Sequence, residues 1–249
     1  MDDFFEQVRR YIRVHALLPE GSRVVAGISG GADSLALLLL LERQRKPLGL
    51  QLIAAHVNHG LRGLSADEDE AFVRSWCEKL AVPCFCRRVD LVALAAGWGI
   101  GLEEAGRRVR YGFFDEIAPQ ALIALAHHSD DQAETLLLHL GRGCGLDGLV
   151  GMKPRSGRVV RPLLGQTRQA IEAWLTGQSV AWRRDESNSE LFALRNRLRL
   201  QVLPVWQTAL GYDPARMLCR TAGLLAEDQQ LLDDLTREAI GRVRREDGL

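Results

Sequence analysis

The sequence predicts an α/β fold: a doubly wound, mostly parallel sheet with helices on both faces, followed by a short C-terminal helical segment. Three observations carry this prediction. Residues 23–28 and 50–57 are apolar runs of strand length. Between them, residues 35–41 are almost all leucine, a strong helix former. Strand, helix and strand at these lengths imply a right-handed parallel crossover. The chain of 249 residues is long enough to bury a core. It divides into a large domain over residues 1–206 and a helical tail over 207–249, with the boundary between Pro204 and Asp213.

The elements follow in order. Residues 4–18 form an amphipathic helix through Phe4, Phe5, Val8, Tyr11, Ile12 and Leu17, ended by Pro19-Glu20-Gly21. After the first strand and its helix, Lys46-Pro47-Leu48-Gly49 is a break before the second strand. Ser65-Ala66-Asp67-Glu68 reads as the capped start of a helix over 70–80. Residues 82–89 form a third strand, placed at an edge by Pro83. Residues 95–101 read as a glycine-rich loop, 102–114 as a helix and 121–126 as a fourth strand. A helix through 136–140 runs into residues 141–152, whose many glycines predict a mobile loop over a ligand. Then come an extended segment over 159–164, a helix capped by Gln166 or Thr167, and a last strand over 180–182. A helix opens at Arg195 and ends near Leu203-Pro204. Another spans 214–241, with Leu218, Leu224, Leu225, Leu231, Leu232 and Leu235 as its apolar set.

Composition narrows the function classes. The formal net charge is zero, so no global basic field draws the chain to nucleic acid. Lys46, Lys79 and Lys153 are the only lysines among 32 basic residues, and an arginine-rich surface suits local phosphate or RNA contacts. The five cysteines are odd in number and form no Cys-x-x-Cys pair. With an acidic start, Met1-Asp2-Asp3, they predict reduced thiols and a cytoplasmic protein. The leucine run is too short to span a membrane.

Chemistry concentrates at the ends of strands, where open parallel sheets bind ligands. After the first strand stands Ser29-Gly30-Gly31-Ala32-Asp33-Ser34. A small-residue loop opening a helix is an anion site, since first-turn N–H groups and the helix dipole both favour negative charge. Asp33 is the odd member, and a carboxylate beside polyphosphate makes sense if it holds Mg²⁺. The run lacks a Gly-Lys-Ser/Thr ending and a Gly-x-Gly-x-x-Gly pattern. After the second strand stands His56-Val57-Asn58-His59-Gly60-Leu61-Arg62, which reads equally as a polar site or a self-capped loop. Glu103, Arg107 and Arg110 share one helix face, either functional or simply solvated. After the fourth strand stands His127-His128-Ser129-Asp130-Asp131-Gln132-Ala133-Glu134-Thr135. Two histidines and three carboxylates held this closely call for a cation or a substrate. Helical spacing pairs His127 with Asp131, and Asp130 with Glu134. Magnesium is preferred to zinc because the glycine loop supplies phosphates nearby.

Ser-Gly-Gly-Ala-Asp-Ser after a hydrophobic strand resembles the pyrophosphate loop of the PP-loop ATPases, which adenylate an oxygen of a substrate and release pyrophosphate. Further segments resemble one branch, the tRNA(Ile)-lysidine synthetases. They are the run from His56 to Arg62, Glu104 through Arg110-Tyr111, the run from Ala126 to Thr135, Arg142-Gly143 with Gly148 to Met152, Arg161-Pro162-Leu163-Leu164, and Asp185-Glu186-Ser187-Asn188 with Arg195-Asn196-Arg197-Leu198-Arg199. The resemblance covers about residues 22–204. It implies a PP-loop catalytic domain that joins L-lysine to the wobble cytidine of tRNA(Ile) with anticodon CAU, through an adenylated RNA.

Roles follow from the resemblance. ATP is expected on Ser29, Gly30, Gly31, Ala32, Asp33 and Ser34, with His56, Arg142 and Gly143. Asp33 and Asp131 are the expected Mg²⁺ ligands. Arg107 neutralises charge as cytosine O2 attacks the α-phosphate. His127 and Asp131 are the candidates for the base that frees the lysine amine, and Asp130 and Glu134 are candidates for its ammonium groups. His127 has an alternative role, stabilising the departing pyrophosphate. Asn58, His59, Arg62, Glu104, Arg110, Arg195 and Arg199 are expected substrate contacts, with a homodimer as one route to tRNA discrimination. Gly106 is expected to loosen its helix. Three alternatives stay open: a PP-loop tRNA thiolase, an amidating ligase of the NAD or GMP synthetase type, and a binding module without turnover.

Overall fold

The strands β1 (Arg23–Gly27), β2 (Gln51–Asn58), β3 (Cys84–Arg88), β4 (Leu122–Ala124), β5 (Arg155–Ser156) and β6 (Val159–Val160) form one sheet of order β3-β2-β1-β4-β6-β5 in a computed structural model that describes residues 2–183 and 194–246. All neighbours pair in parallel except the short β5–β6 hairpin. The doubly wound, mostly parallel sheet is therefore as the sequence predicts, and β3 lies at the edge that Pro83 suggested.

Alternation along the strands builds the two faces. Val24, Ala26, Leu52, Ala54, Leu122 and Ala124 pack into a core with α1 (Asp3–Val14), α2 (Ala32–Arg45), α3 (Leu64–Lys79) and α8 (Arg168–Gly177). Val25, Ile53, Ala55 and Ile123 point the other way, onto Phe113 and Phe114 of α5 (Leu102–Ile117). Leucines fill α2 all round because it is buried on nearly every side. These elements, with α4 (Leu91–Trp98), lie in a compact unit made of residues 1–128 and 154–185. A second unit, residues 129–153 and 186–249, contains α6 (Ser129–Arg142), α7 (Leu146–Val150), α9 (Leu194–Arg197), a π-helical turn (Leu198–Val202), α10 (Leu203–Leu210) and α11 (Pro214–Glu246). Residue 206 falls within α10. No helix among the described residues is long and apolar enough to cross a membrane.

Several elements differ from expectation. Residues 95–98, expected in a loop, lie in helix α4: Asp90 accepts from Ala93 N–H at 2.9 Å, and Gly99 closes the helix in the left-handed region. Helix α3 starts at Leu64 without a side-chain cap, because its N-cap is Gly63; Asp67, inside its first turn, is engaged by Asn58 and Arg88. The expected mobile loop over 141–152 contains the end of α6 and all of α7. Buried Gln132 fastens its far end, donating to Val150 O and Met152 O at 3.0 and 3.1 Å and accepting from Met152 N–H at 2.7 Å. Gly151 makes this approach possible: its φ is +66°, and a Cβ there would lie 2.8 Å from Gln132 Oε1. Residues 180–182 form no strand. Pro204 does not end a helix but sits in the first turn of α10, where its missing N–H is harmless. On α11, Leu224, Leu231, Leu232 and Leu235 are more than half exposed, so the expected apolar set is not a buried core stripe. Gly106 lies buried within a continuous α5, close to Leu91, His59 and Arg110, so it serves packing and does not interrupt the helix.

Candidate active site

Strand order reverses at β1 and β4: β2 and β3 lie on one side of β1, and β4 lies on the other. The switch point brings the loop after β1 and the histidines after β4 to the same end of the sheet, although they are about a hundred residues apart in sequence.

The loop after β1 is held from within. Ser34 Oγ accepts from the N–H groups of Ser29 and Gly30, each at 3.1 Å, and donates to Gly31 O at 3.0 Å. Gly30 has φ +95°, a conformation that side-chain-bearing residues rarely adopt. Gly31 is the N-cap of α2 and no side chain caps the helix, so its first-turn N–H groups await water or an anion. Arg183 N–H bonds Gly30 O at 3.1 Å, while the Arg183 guanidinium reaches Asp69 and Glu68 of α3.

Asp33 stands in the first turn of α2. Its Oδ2 lies 3.6 Å from Nε2 of His128, whose side chain is 2% exposed. Its Oδ1 is buried and makes no hydrogen bond among the described residues. An oxygen in that state fits a cation. No group of three His, Cys, Asp or Glu among the described residues is arranged to hold a metal unaided. A cation that takes one or two carboxylates and completes its shell with phosphate and water, as magnesium does, is one that Asp33 could hold.

The loop after β2 is largely self-satisfied. Asn58 is buried; its amide donates to Asp67 Oδ1 at 2.9 Å and accepts from Gly60 N–H at 3.0 Å. Its polar atoms thus shape the loop, and its expected substrate contact has no support from this geometry. Arg62 pairs with Asp69 at 2.7 Å. His56 Nδ1 donates to Ile28 O at 2.8 Å, and burial holds the ring's pKa below the ordinary histidine value. Burial and the nearby Arg110 push His59 down to about 4. Both rings are neutral near pH 7. On α5, Glu104, Arg107 and Arg110 are exposed, and the Arg107 guanidinium lies 4.8 Å from the centre of the Tyr111 ring.

After β4, His127 Nδ1 accepts from Arg161 Nε at 3.3 Å. His127 precedes α6, so helical i,i+4 spacing does not pair it with Asp131. Within the second unit, Glu134 is fully buried on α6. Arg199 donates to Glu134 Oε1 at 2.5 Å and to Asp131 Oδ1 at 3.3 Å. The other Glu134 oxygen is buried and makes no hydrogen bond among the described residues. Burial raises the Glu134 pKa, opposed by Arg199. Arg195 donates to Thr135 Oγ1 at 3.2 Å. Arg195 and Arg199, expected on RNA, are therefore turned to α6. Arg142 and Gly143 lie exposed at the C-terminal end of α6. Asp130 is partly buried in its first turn. Arg184 and Asp185-Glu186-Ser187-Asn188 lie outside the described residues.

Sequence reasoning gave no role to His128, Arg161 or Asp69. The doubled histidine at a strand's end was the available signal for His128; Asp69 and Arg161 announce themselves only through partners far along the chain.

Comparison with known proteins agrees with this architecture. A family profile described as a PP-loop domain matches residues 5–206. The chain is 45% identical over 247 residues to a tRNA(Ile)-lysidine synthase of Geobacter sulfurreducens, covering 97% of this chain and 52% of that protein. It is 38% identical to one from Chlorobaculum tepidum, covering 92% of this chain and 69% of the relative. Against the first curated relatives, then, the chain spans about half their length. Among solved structures, the U34-tRNA thiolase NcsA of Methanococcus maripaludis, with its 4Fe-4S cluster, superposes with a TM-score of 0.70 at 19% identity, covering 90% of this chain and 79% of that one, a likeness of fold alone. With a PP-loop match over most of its length and relatives of one kind at these identities, the chain belongs to the tRNA(Ile)-lysidine synthase family of PP-loop proteins.

Proposed function

We propose that the chain ligates L-lysine to C2 of the wobble cytidine of tRNA(Ile) with anticodon CAU, using ATP and releasing AMP and pyrophosphate, in the cytoplasm. The observation that carries the reading is the loop after β1: an uncapped helix N-terminus, a left-handed glycine, and a buried Asp33 oxygen without a partner among the described residues. ATP phosphates suit its N–H groups, as anions suit any open helix start. Asp33 would hold a magnesium ion, which would supply charge neutralisation at phosphate. Arg107 adds positive charge as cytosine O2 forms its bond to the α-phosphorus. Neutral His56, proposed on the nucleotide, and neutral His59, proposed on the substrate, add no charge there. The unpartnered Glu134 oxygen suits an ammonium group of lysine, with Asp130 beside it in sequence. Arg142 is the exposed cation proposed for phosphate or RNA.

The thiolase alternative draws nothing from the fold likeness. Such enzymes commonly use paired cysteines, and the five cysteines of this sequence form no Cys-x-x-Cys pair. The test is direct. Incubation with ATP, labelled lysine and a tRNA(Ile) transcript is expected to put ATP-dependent label on the RNA with equimolar AMP. AMP formed without labelled RNA would point to an amidating ligase or another acceptor.

A further inference from the structure

His127 is a candidate base by residue type, but its hydrogen bond decides otherwise. A guanidinium has only donors. Arg161 Nε lies 3.3 Å from His127 Nδ1, so Nδ1 must offer its lone pair. A neutral imidazole carries one proton, and with Nδ1 accepting, that proton sits on Nε2. A protonated ring, or the other tautomer, would set N–H against N–H.

The contact is built into the sheet. Ala124 of β4 pairs with Val160 of β6, and Leu125 N–H bonds Val160 O at 3.0 Å. Arg161 therefore leaves β6 beside the segment that leads to His127. Its backbone N–H bonds Pro154 O at 2.9 Å, and the residue is only 8% exposed. A buried cation anchored on a neighbouring strand fixes the ring more firmly than a surface side chain would.

We propose that Arg161 is a positioning residue that locks His127 as the Nε2–H tautomer, so that His127 serves as a hydrogen-bond donor and not as the base for lysine. The tautomer stands on geometry alone; its use rests on the lysidine reading above. In adenylation, the bond from cytidine O2 to the α-phosphorus forms and the bond to pyrophosphate oxygen breaks, its electron pair leaving with pyrophosphate. In the proposed role the Nε2–H donates toward the growing negative charge and keeps its proton. In transfer, the lysine nitrogen bonds C2, and the C2–O2 bond breaks with its electrons leaving in AMP. The amine's proton goes to a carboxylate or to water.

Two measurements test this on the whole chain. Nitrogen-15 spectra of histidine-labelled protein report which ring nitrogen is protonated, with His127 assigned by its missing signal in His127→Gln. The expected signature near neutral pH is an unprotonated Nδ1 and a protonated Nε2. It is retained in Arg161→Lys and relaxes to a mixture in Arg161→Met. An Nδ1-protonated ring in the unaltered protein overturns the proposal. Rapid quench then separates the two chemical steps. His127→Gln, whose amide supplies an N–H in place of Nε2–H, is expected to adenylate RNA about tenfold faster than His127→Ala. Neither variant should accumulate adenylated RNA. Accumulation in His127→Ala with adenylation intact identifies a base and overturns the donor role. Absence of lysidine with the predicted spectrum would instead overturn the assigned reaction and leave the tautomer standing.

Discussion

Replacing Arg199 with alanine separates two readings of the same arginine. If Arg199 contacts RNA and nothing else, Arg199→Ala leaves stability within about 0.5 kcal/mol, as surface changes usually do. The salt dependence of tRNA binding then falls by roughly one unit of slope. The structure predicts otherwise. Glu134 is fully buried and its Oε1 takes Arg199 Nε at 2.5 Å, with Asp131 sharing the same guanidinium. Removing one partner of a buried pair costs about 3–5 kcal/mol, because it leaves a charge uncompensated. The Arg199 side chain is 24% exposed, which favours the lower end, about 3 kcal/mol. Protonation of Glu134 limits the loss. Its folded pKa is already raised by burial, so in the variant the protonated form is stabilising below the unfolded value, and that stability is lost as pH rises through the folded pKa. The deficit should therefore be smallest in acid and grow toward neutral pH. Adding Glu134→Gln removes the stranded charge and should restore about 2 kcal/mol. Urea unfolding followed by circular dichroism at several pH values measures all of this. A deficit below about 1 kcal/mol at neutral pH, or simple additivity in the double variant, refutes the buried-pair argument.

Asp33→Asn is expected to cut AMP formation by about a hundredfold or more while moving stability by less than about 1 kcal/mol, since Oδ1 makes no hydrogen bond to lose; a large fall in melting temperature, or full turnover at matched Mg²⁺, goes against it. His59 has a folded pKa lowered to about 4, so the folded protein resists its protonation. That contribution is complete above the unfolded value near 6.5 and is lost as pH falls toward 4, by about 1 kcal/mol once its partial exposure is allowed for. Acid titration of stability should flatten over that window in His59→Gln, and an unchanged profile would contradict the assignment.

Local signals carried most of the sheet. The apolar runs at 23–28 and 50–57 and the leucine helix between them needed no distant partner to be read. Residues 180–182 did need one, and the sheet beyond β4 is taken by β6 and β5. Helix α4 was hidden because its glycine and small residues resemble a loop, while Asp90, the cap that starts it, lies outside the stretch that looked irregular. The segment 141–152 looked mobile because its anchor, the Gln132 amide, acts 18 to 20 residues away.

The candidate site divides along the same line, with a consequence for how its charges are read. Residue types and their places at strand ends were visible in Asp33, His127 and Glu134. Whether each charge already has a partner was not, because Arg199 stands 65 residues from Glu134 and Arg161 stands 34 from His127. Those two arginines answer two carboxylate oxygens and one ring nitrogen and leave specific atoms over. Asp33 Oδ1 and Glu134 Oε2 are both buried acceptors with no hydrogen bond among the described residues. Acceptors left over in this way cost stability unless a ligand meets them. On the proposed reading the two ligands differ in kind. Asp33 sits beside open N–H groups that suit phosphate, so its cation must tolerate phosphate oxygens, as a hard divalent ion does. Glu134 already shares a guanidinium, so its second oxygen suits a compact donor such as an ammonium group. On that reading a chain of zero net charge needs no global field for either ligand, because each meets an oppositely charged or dipolar partner held in place before it arrives.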